Sequence, residues 1–208
     1  MRLICTSQHR DFFNAHQYIE FVDVLHTGEI EQLHARIQEL LPNRGYKAGF
    51  DLWRERKYMK KATLRTLGCI ASQLCNIASL RIAFDTLVTH THPLPFHNTS
   101  SIADTSSIKP LAGGAFILLE NIEYDQTPYI GAFPLPTARG NLLFVTPSLS
   151  IPWPALFSLP QLHLLFIAFA SEKSFYRQEP NDPYAAHYKK LGYVYNDKLT
   201  HATHPLIT

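Results

Sequence analysis

Two near-continuous apolar runs, Asn141 to Pro147 and Leu162 to Ala170, lie either side of a proline-broken link and constrain this chain more than any other feature. Runs of that length and character read as strands buried on both faces, which requires material packed against each side of a sheet. The stretch from Arg139 to Ala170 is therefore expected to form the structural centre and the floor of any pocket.

The elements around that centre are legible at lower resolution. Ser7 is expected to cap a short helix carrying Phe12 and Phe13, and Tyr18 to Leu25 reads as a strand. Ile30, Leu33, Ile37, Leu40 and Leu41 recur at helical spacing, with Glu29 and Glu31 at the positive end of the helix dipole and Pro42 as the stop. A second helix is predicted from about Lys57 to Asn76, with Leu64, Leu67, Ala71, Leu74 and Cys75 on one face. Leu80 to Val88 alternates, placing Leu80, Ile82, Phe84 and Val88 together. Thr89 to Ser107 reads as a long polar loop, Ala115 to Glu120 as a strand, and Tyr129 to Pro136 as an edge strand limited by proline. Near the end, Asp182, Pro183 and Gly192 mark out a last helix, and Tyr193 to Tyr195 a further short strand.

Helices come first and strands dominate thereafter. The order predicts an α+β architecture, a jelly-roll core buttressed by helices, within a single domain over 1–208: mainly helical from 1–79 and β-rich from 80–208 with a C-terminal helix. At 208 residues such a chain can bury a sizeable core. A net charge of +2 is too mild to demand a nucleic-acid partner. Cys5, Cys69 and Cys75 have no CxxC spacing and are expected to be reduced, and the glycines form no phosphate-binding or dinucleotide motif. With no signal-peptide core and no membrane-length apolar window, the expected location is cytoplasmic.

One basic stretch stands out. If helix begins by Arg54, then Arg54, Lys57, Lys61 and Arg65 line a single stripe. Over 54–65 the stripe is either a solvated face or an anion-binding surface for a phosphate, a CoA ester or nucleic acid.

The segment Phe13-Asn14-Ala15-His16-Gln17-Tyr18-Ile19, with Val24-Leu25 and Glu29-Ile30-Glu31-Gln32-Leu33, resembles the opening of the phytanoyl-CoA dioxygenase-like proteins, which are iron(II)/2-oxoglutarate oxygenases. The chain as a whole is also similar to a divergent family of uncharacterised chlamydial proteins. The resemblance implies a double-stranded β-helix. It also implies a site of two histidines and one carboxylate, beginning with an HxD or HxE motif, that leaves iron positions open for 2-oxoglutarate and oxygen.

Those ligands are not where the resemblance implies them. The sole HxD match, His9-Arg10-Asp11, precedes the first helix. The positional counterpart is His97-Asn98-Thr99, where neutral Thr99 replaces the carboxylate. Ile151-Pro152-Trp153-Pro154 supplies no distal histidine, Gln161 and His163 stand where the 2-oxoglutarate arginine is implied, and Arg177 lies too far on.

The expectation is thus an oxygenase-like protein without the ordinary metal triad, non-catalytic or of altered chemistry, binding an unidentified small molecule or protein. His97, Trp153 and His163 are its pocket candidates, with iron(II) and 2-oxoglutarate as cofactors only if a divergent site is active. Two alternatives stay open. In one, His90, His92 and His97 hold zinc or iron in an atypical oxygenase. In the other, a metal-responsive regulator binds nucleic acid through the 54–65 stripe. His201 and His204 are weaker metal candidates still, because terminal segments tend to fray.

Overall fold

The computed structural model describes residues 4–43, 49–55, 59–91, 96, 98–120 and 129–207. Seven strands are present among the described residues: β1 (Tyr18–Phe21), β2 (Leu80–Val88), β3 (Ile108–Leu118), β4 (Tyr129–Ile130), β5 (Phe133–Pro134), β6 (Leu142–Val145) and β7 (Leu164–Tyr176). Six α-helices accompany them: α1 (Ser7–His16), α2 (Thr27–Leu40), α3 (Lys61–Cys75), α4 (Ile102–Thr105), α5 (Trp153–Phe157) and α6 (Ala185–Lys190). The main sheet is five-stranded in the order β1-β6-β3-β7-β2, and β4 and β5 pair separately. Every pairing is antiparallel.

The two apolar runs do become strands of one sheet, β6 and β7, held apart by β3. β6 and the first seven residues of β7, Leu164 to Ala170, are buried on both faces, as their composition requires. Their even and odd residues feed different cores. Toward the helices, Phe144, Leu165, Ile167 and Phe169 meet Ile30, Leu33 and Ile37 of α2 and Leu67, Ile70 and Leu74 of α3. Toward the other side, Leu143, Val145, Leu164, Phe166 and Ala168 meet Trp153, Leu156, Phe157 and Tyr188.

Strand β2 departs from the simple alternation. A bulge between Ile82 and Phe84 shifts the register. Ile82 therefore joins the helix-side core while Phe84 and Val88 join the other. β2 ends the strand order, yet its outer edge is covered: Phe50 bridges Thr86, Arg81 bridges Leu206, and the Ile207 amide donates to the Leu80 carbonyl at 2.9 Å.

Several boundaries differ from the sequence expectation, each for a local reason. α1 is capped by Thr6 rather than Ser7, with His9 closing a reciprocal capping box. The first strand stops at Phe21, before Asp23 turns left-handed at φ 52°. Asp182 does not cap the last helix directly: its carboxylate accepts from the Tyr184 and Ser107 amides, and the helix begins two residues beyond Pro183. Tyr193 to Tyr195 is not a strand, since the chain bonds across to β7 instead, the Tyr176 amide donating to Asp197. The 89–107 loop contains α4, capped by Ser101.

The basic stripe is a correction of more consequence. α3 begins at Lys61, and Arg54 belongs to a separate 3-10 turn, Leu52–Arg54, where it is tied to buried Asp51. Lys57 lies outside the described residues, so four cations on one helix are not built. Lys61 and Arg65 remain exposed on α3. No described helix is long and apolar enough to cross a membrane.

Candidate functional site

The non-helical side of the sheet is an aromatic interior. Phe166 of β7 lies over Gly114 of β3, where an added Cβ would sit 2.4 Å from the ring. Only a residue without a side chain allows that approach. Phe166 then tilts against Phe116 at 4.6 Å and meets Trp153 edge-on at 5.7 Å. Trp153, placed by α5, is 1% exposed and also stacks on Phe96 and Phe157. Its ring neighbours are thus four phenylalanines, and its indole N–H has no hydrogen-bond partner among the described residues.

Phe96 carries this stack outward to a cleft of about 610 Å³ lined also by Asn98, Thr99, Ser100, Asp104 and Asp182. Two residues of the His97-Asn98-Thr99 segment, Asn98 and Thr99, border this cleft. His97 itself and His92 lie outside the described residues. His90 is exposed and its Nδ1 is 3.2 Å from the Phe157 carbonyl oxygen, so it is engaged with α5. Asp182 is buried, and burial pushes its carboxyl above the ordinary range despite the amide and hydroxyl hydrogen bonds that work the other way.

Of the two pocket candidates among the described residues, Trp153 faces the aromatic interior and His163 does not. His163 is turned away from it by the alternation of β7: Leu162 and Leu164 both enter the non-helical core, so the residue between them projects toward α2. Trp153 and His163 therefore do not converge. Arg177 is exposed. Thr99 and residues 151–154, where the resemblance implied the carboxylate and the distal histidine, carry neither group, while His97, the remaining implied position, lies outside the described residues.

His163 instead meets partners that sequence reasoning missed. Its Nδ1 is 3.2 Å from Glu120 Oε2, and His34 Nε2 of α2 is 3.5 Å from Glu120 Oε1. The His34 and His163 rings sit edge to face at 5.7 Å. One donor atom from each of the three residues falls within 4.8 Å of the others. Two imidazoles and a carboxylate suit a divalent transition metal. No motif announces them, because each comes from a different element: His34 flanks the buried stripe of α2, Glu120 follows β3, and His163 precedes β7. The β3 and β7 ends are joined by the Leu119 amide donating to the His163 carbonyl at 2.9 Å.

A second polar cluster is buried beside β2, the strand that ends the order. Asp51, 1% exposed and left-handed at φ 58°, accepts from Arg54 and lies 2.6 Å from His187 Nε2. Arg54 also donates to the Thr203 carbonyl and approaches His204 Nε2 at 3.1 Å, while His204 Nδ1 contacts the Tyr193 hydroxyl at 2.7 Å. Arg81 donates to the His204 carbonyl. His204 is fully buried, which corrects the expectation that this terminal segment frays. Burial and then the Arg54 charge depress its imidazole to about 3, so it stays neutral. For Asp51 burial acts upward, but the hydrogen bond with His187 and the charge of Arg54 prevail and hold the carboxyl low. The three thiols form no disulfide, and burial pushes Cys75 up to about 12, which leaves it unreactive.

No protein-family profile matches the chain, and no curated protein does. Its fold is shared with non-heme α-ketoglutarate-dependent enzymes. The carbocyclase SnoK of nogalamycin biosynthesis superposes with a TM-score of 0.72 at 14% identity, over 98% of this chain and 97% of that one. The epimerase SnoN, in complex with Fe3+, α-ketoglutarate and nogalamycin RO, gives 0.64 at 15% identity over 97% and 98%. CT296 from Chlamydia trachomatis gives 0.54 at 16% identity over 82% and 98%.

Proposed function

We propose, from a fold shared with α-ketoglutarate-dependent enzymes, that this chain is a double-stranded β-helix protein of altered chemistry. It works by binding a small polar molecule in the Phe96–Asp182 cleft rather than by the ordinary iron(II)/2-oxoglutarate reaction. The observation that supports this is the ring packing around Trp153: four phenylalanines occupy the wall behind the cleft. The cleft itself presents hydroxyl, amide and carboxylate groups, with Phe96 as an apolar platform.

The test measures unfolding midpoint and tryptophan fluorescence with iron(II) alone, 2-oxoglutarate alone and both together. A ligand that binds the native state raises its apparent stability, so the expected result is no increment from 2-oxoglutarate with or without the metal. Saturable stabilisation that requires both would overturn the reading.

The His34, Glu120 and His163 group favours a second reading, an atypical metal-dependent oxygenase, since its donors are of the type a non-heme iron site uses. That reading requires 2-oxoglutarate-dependent oxygen consumption that disappears in His163→Ala. The nucleic-acid reading retains only Lys61 and Arg65 of its stripe as exposed cations among the described residues.

A further inference from the structure

We propose that His34, Glu120 and His163 form a site for one divalent transition-metal ion of the zinc class, fastening α2 to the ends of β3 and β7. This is independent of what the cleft binds, and it concerns ion binding alone.

The spacing carries the argument. Zinc bonds of about 2.0–2.1 Å to nitrogen and 2.0–2.2 Å to oxygen, at a tetrahedral angle, place neighbouring donor atoms about 3.3 Å apart. The two carboxylate–imidazole separations, 3.5 Å to His34 and 3.2 Å to His163, already bracket that value. Glu120 lies between the two rings and addresses each with a different oxygen. The three donor atoms, the two imidazole nitrogens included, lie within 4.8 Å of one another, so closing them onto one ion takes an adjustment of the rings as well as of the carboxylate.

Solvent access and support are also suitable. His34, Glu120 and His163 side chains are 18%, 43% and 23% exposed, so an ion can enter while the rings are held by packing. His34 sits one residue beyond buried Leu33, and His163 between buried Leu162 and Leu164, so neither backbone can drift from the sheet. The exposed Gln38 amide is 3.0 Å from His34 Nε2 and can turn to solvent when that nitrogen is needed. Arg139 lies 3.8 Å from the Glu31 carboxylate. Three protein donors leave one coordination position for water or another small ligand.

The experiment titrates metal-free protein with Zn2+ by calorimetry and with Co2+ by visible absorption. The expected result is one ion per chain, a cobalt spectrum of low coordination number, and an affinity lowered by about tenfold or more in His34→Ala and in His163→Ala, since even supporting residues of a metal site cost that much. His201→Ala removes an exposed histidine outside the group and is expected to bind as wild type does. Circular dichroism of the metal-free variants verifies folding, and Glu120→Gln serves if a histidine variant does not fold. Equal affinity in wild type and the His34, His163 or Glu120 variants, or no binding by wild type, would overturn the proposal.

Discussion

The imidazole of His187 and the buried carboxylate of Asp51 meet at 2.6 Å, joining a left-handed turn near residue 51 to the last helix of the chain. Arg54 shares the same carboxylate oxygen, so Asp51 holds two cationic or donor groups at once. Removing its charge leaves the Arg54 guanidinium, 21% exposed, without a compensating anion.

Asp51→Asn is therefore expected to destabilise the protein by about 3 kcal/mol, the lower end for breaking a buried pair, because Arg54 keeps some contact with water. Asparagine tolerates the left-handed backbone almost as well as aspartate, so the loss reports charge rather than conformation. Chemical denaturation of the two proteins at neutral pH measures it. A change within 0.5 kcal/mol, about what a neutral surface substitution gives, would refute the role assigned to this pair.

Acid is expected to unfold the protein progressively through His204. Its imidazole titrates near 3 in the fold, against 6.5 in the ordinary state. Between those values the unfolded chain binds a proton that the folded chain refuses. Stability is thus fully present above pH 6.5 and falls on acidification by up to about 1.4 kcal/mol per pH unit. Asp51, depressed below 3.8, adds a further loss at the acid end of the window. Urea midpoints from pH 7 to pH 4 should show a shallower slope for His204→Gln than for wild type. Parallel slopes would show that His204 is not the group responsible.

Trp153 and Gly114 both bear on the Phe166 ring. Trp153→Ala empties a fully enclosed site and is expected to cost about 3–5 kcal/mol. Gly114→Ala drives a methyl into the Phe166 ring, an overpacking cost of about 1–3 kcal/mol. Because the cavity left by tryptophan gives Phe166 room to retreat, the double variant should lose less than the sum of the singles. A double-mutant cycle decides this, and strict additivity would mean that the three residues are not mechanically linked.

The sheet was readable from sequence where burial on both faces suppresses alternation. Asn141 to Pro147 and Leu162 to Ala170 could hardly be anything else, and they are β6 and β7. The bulge at Ile82 was not readable, since it reassigns Phe84 to the other core without altering composition. The 54–65 stripe misled because helical spacing extrapolates through a break, and Arg54 turned inward to an acid three residues earlier. His163 was noticed, but as a pocket residue. Its partners could not be, because His34 and Glu120 are brought to it by the packing of α2 and the register of β3 against β7. Register depends on side chains across the whole sheet, and a single sequence displays it only indirectly.

The covered edge of β2 has a consequence for how molecules of this protein meet one another. A long apolar strand at the end of a sheet, with its amides and carbonyls unpaired, is a template on which a second chain can add. Here Phe50, Gly49 and the 204–207 segment hydrogen-bond along that edge, and the Arg54–His204 and Arg81–His204 contacts hold the segment in place. The buried polar cluster thereby limits strand-to-strand polymerisation through this edge, a guard against aggregation built from the same residues that fasten the fold.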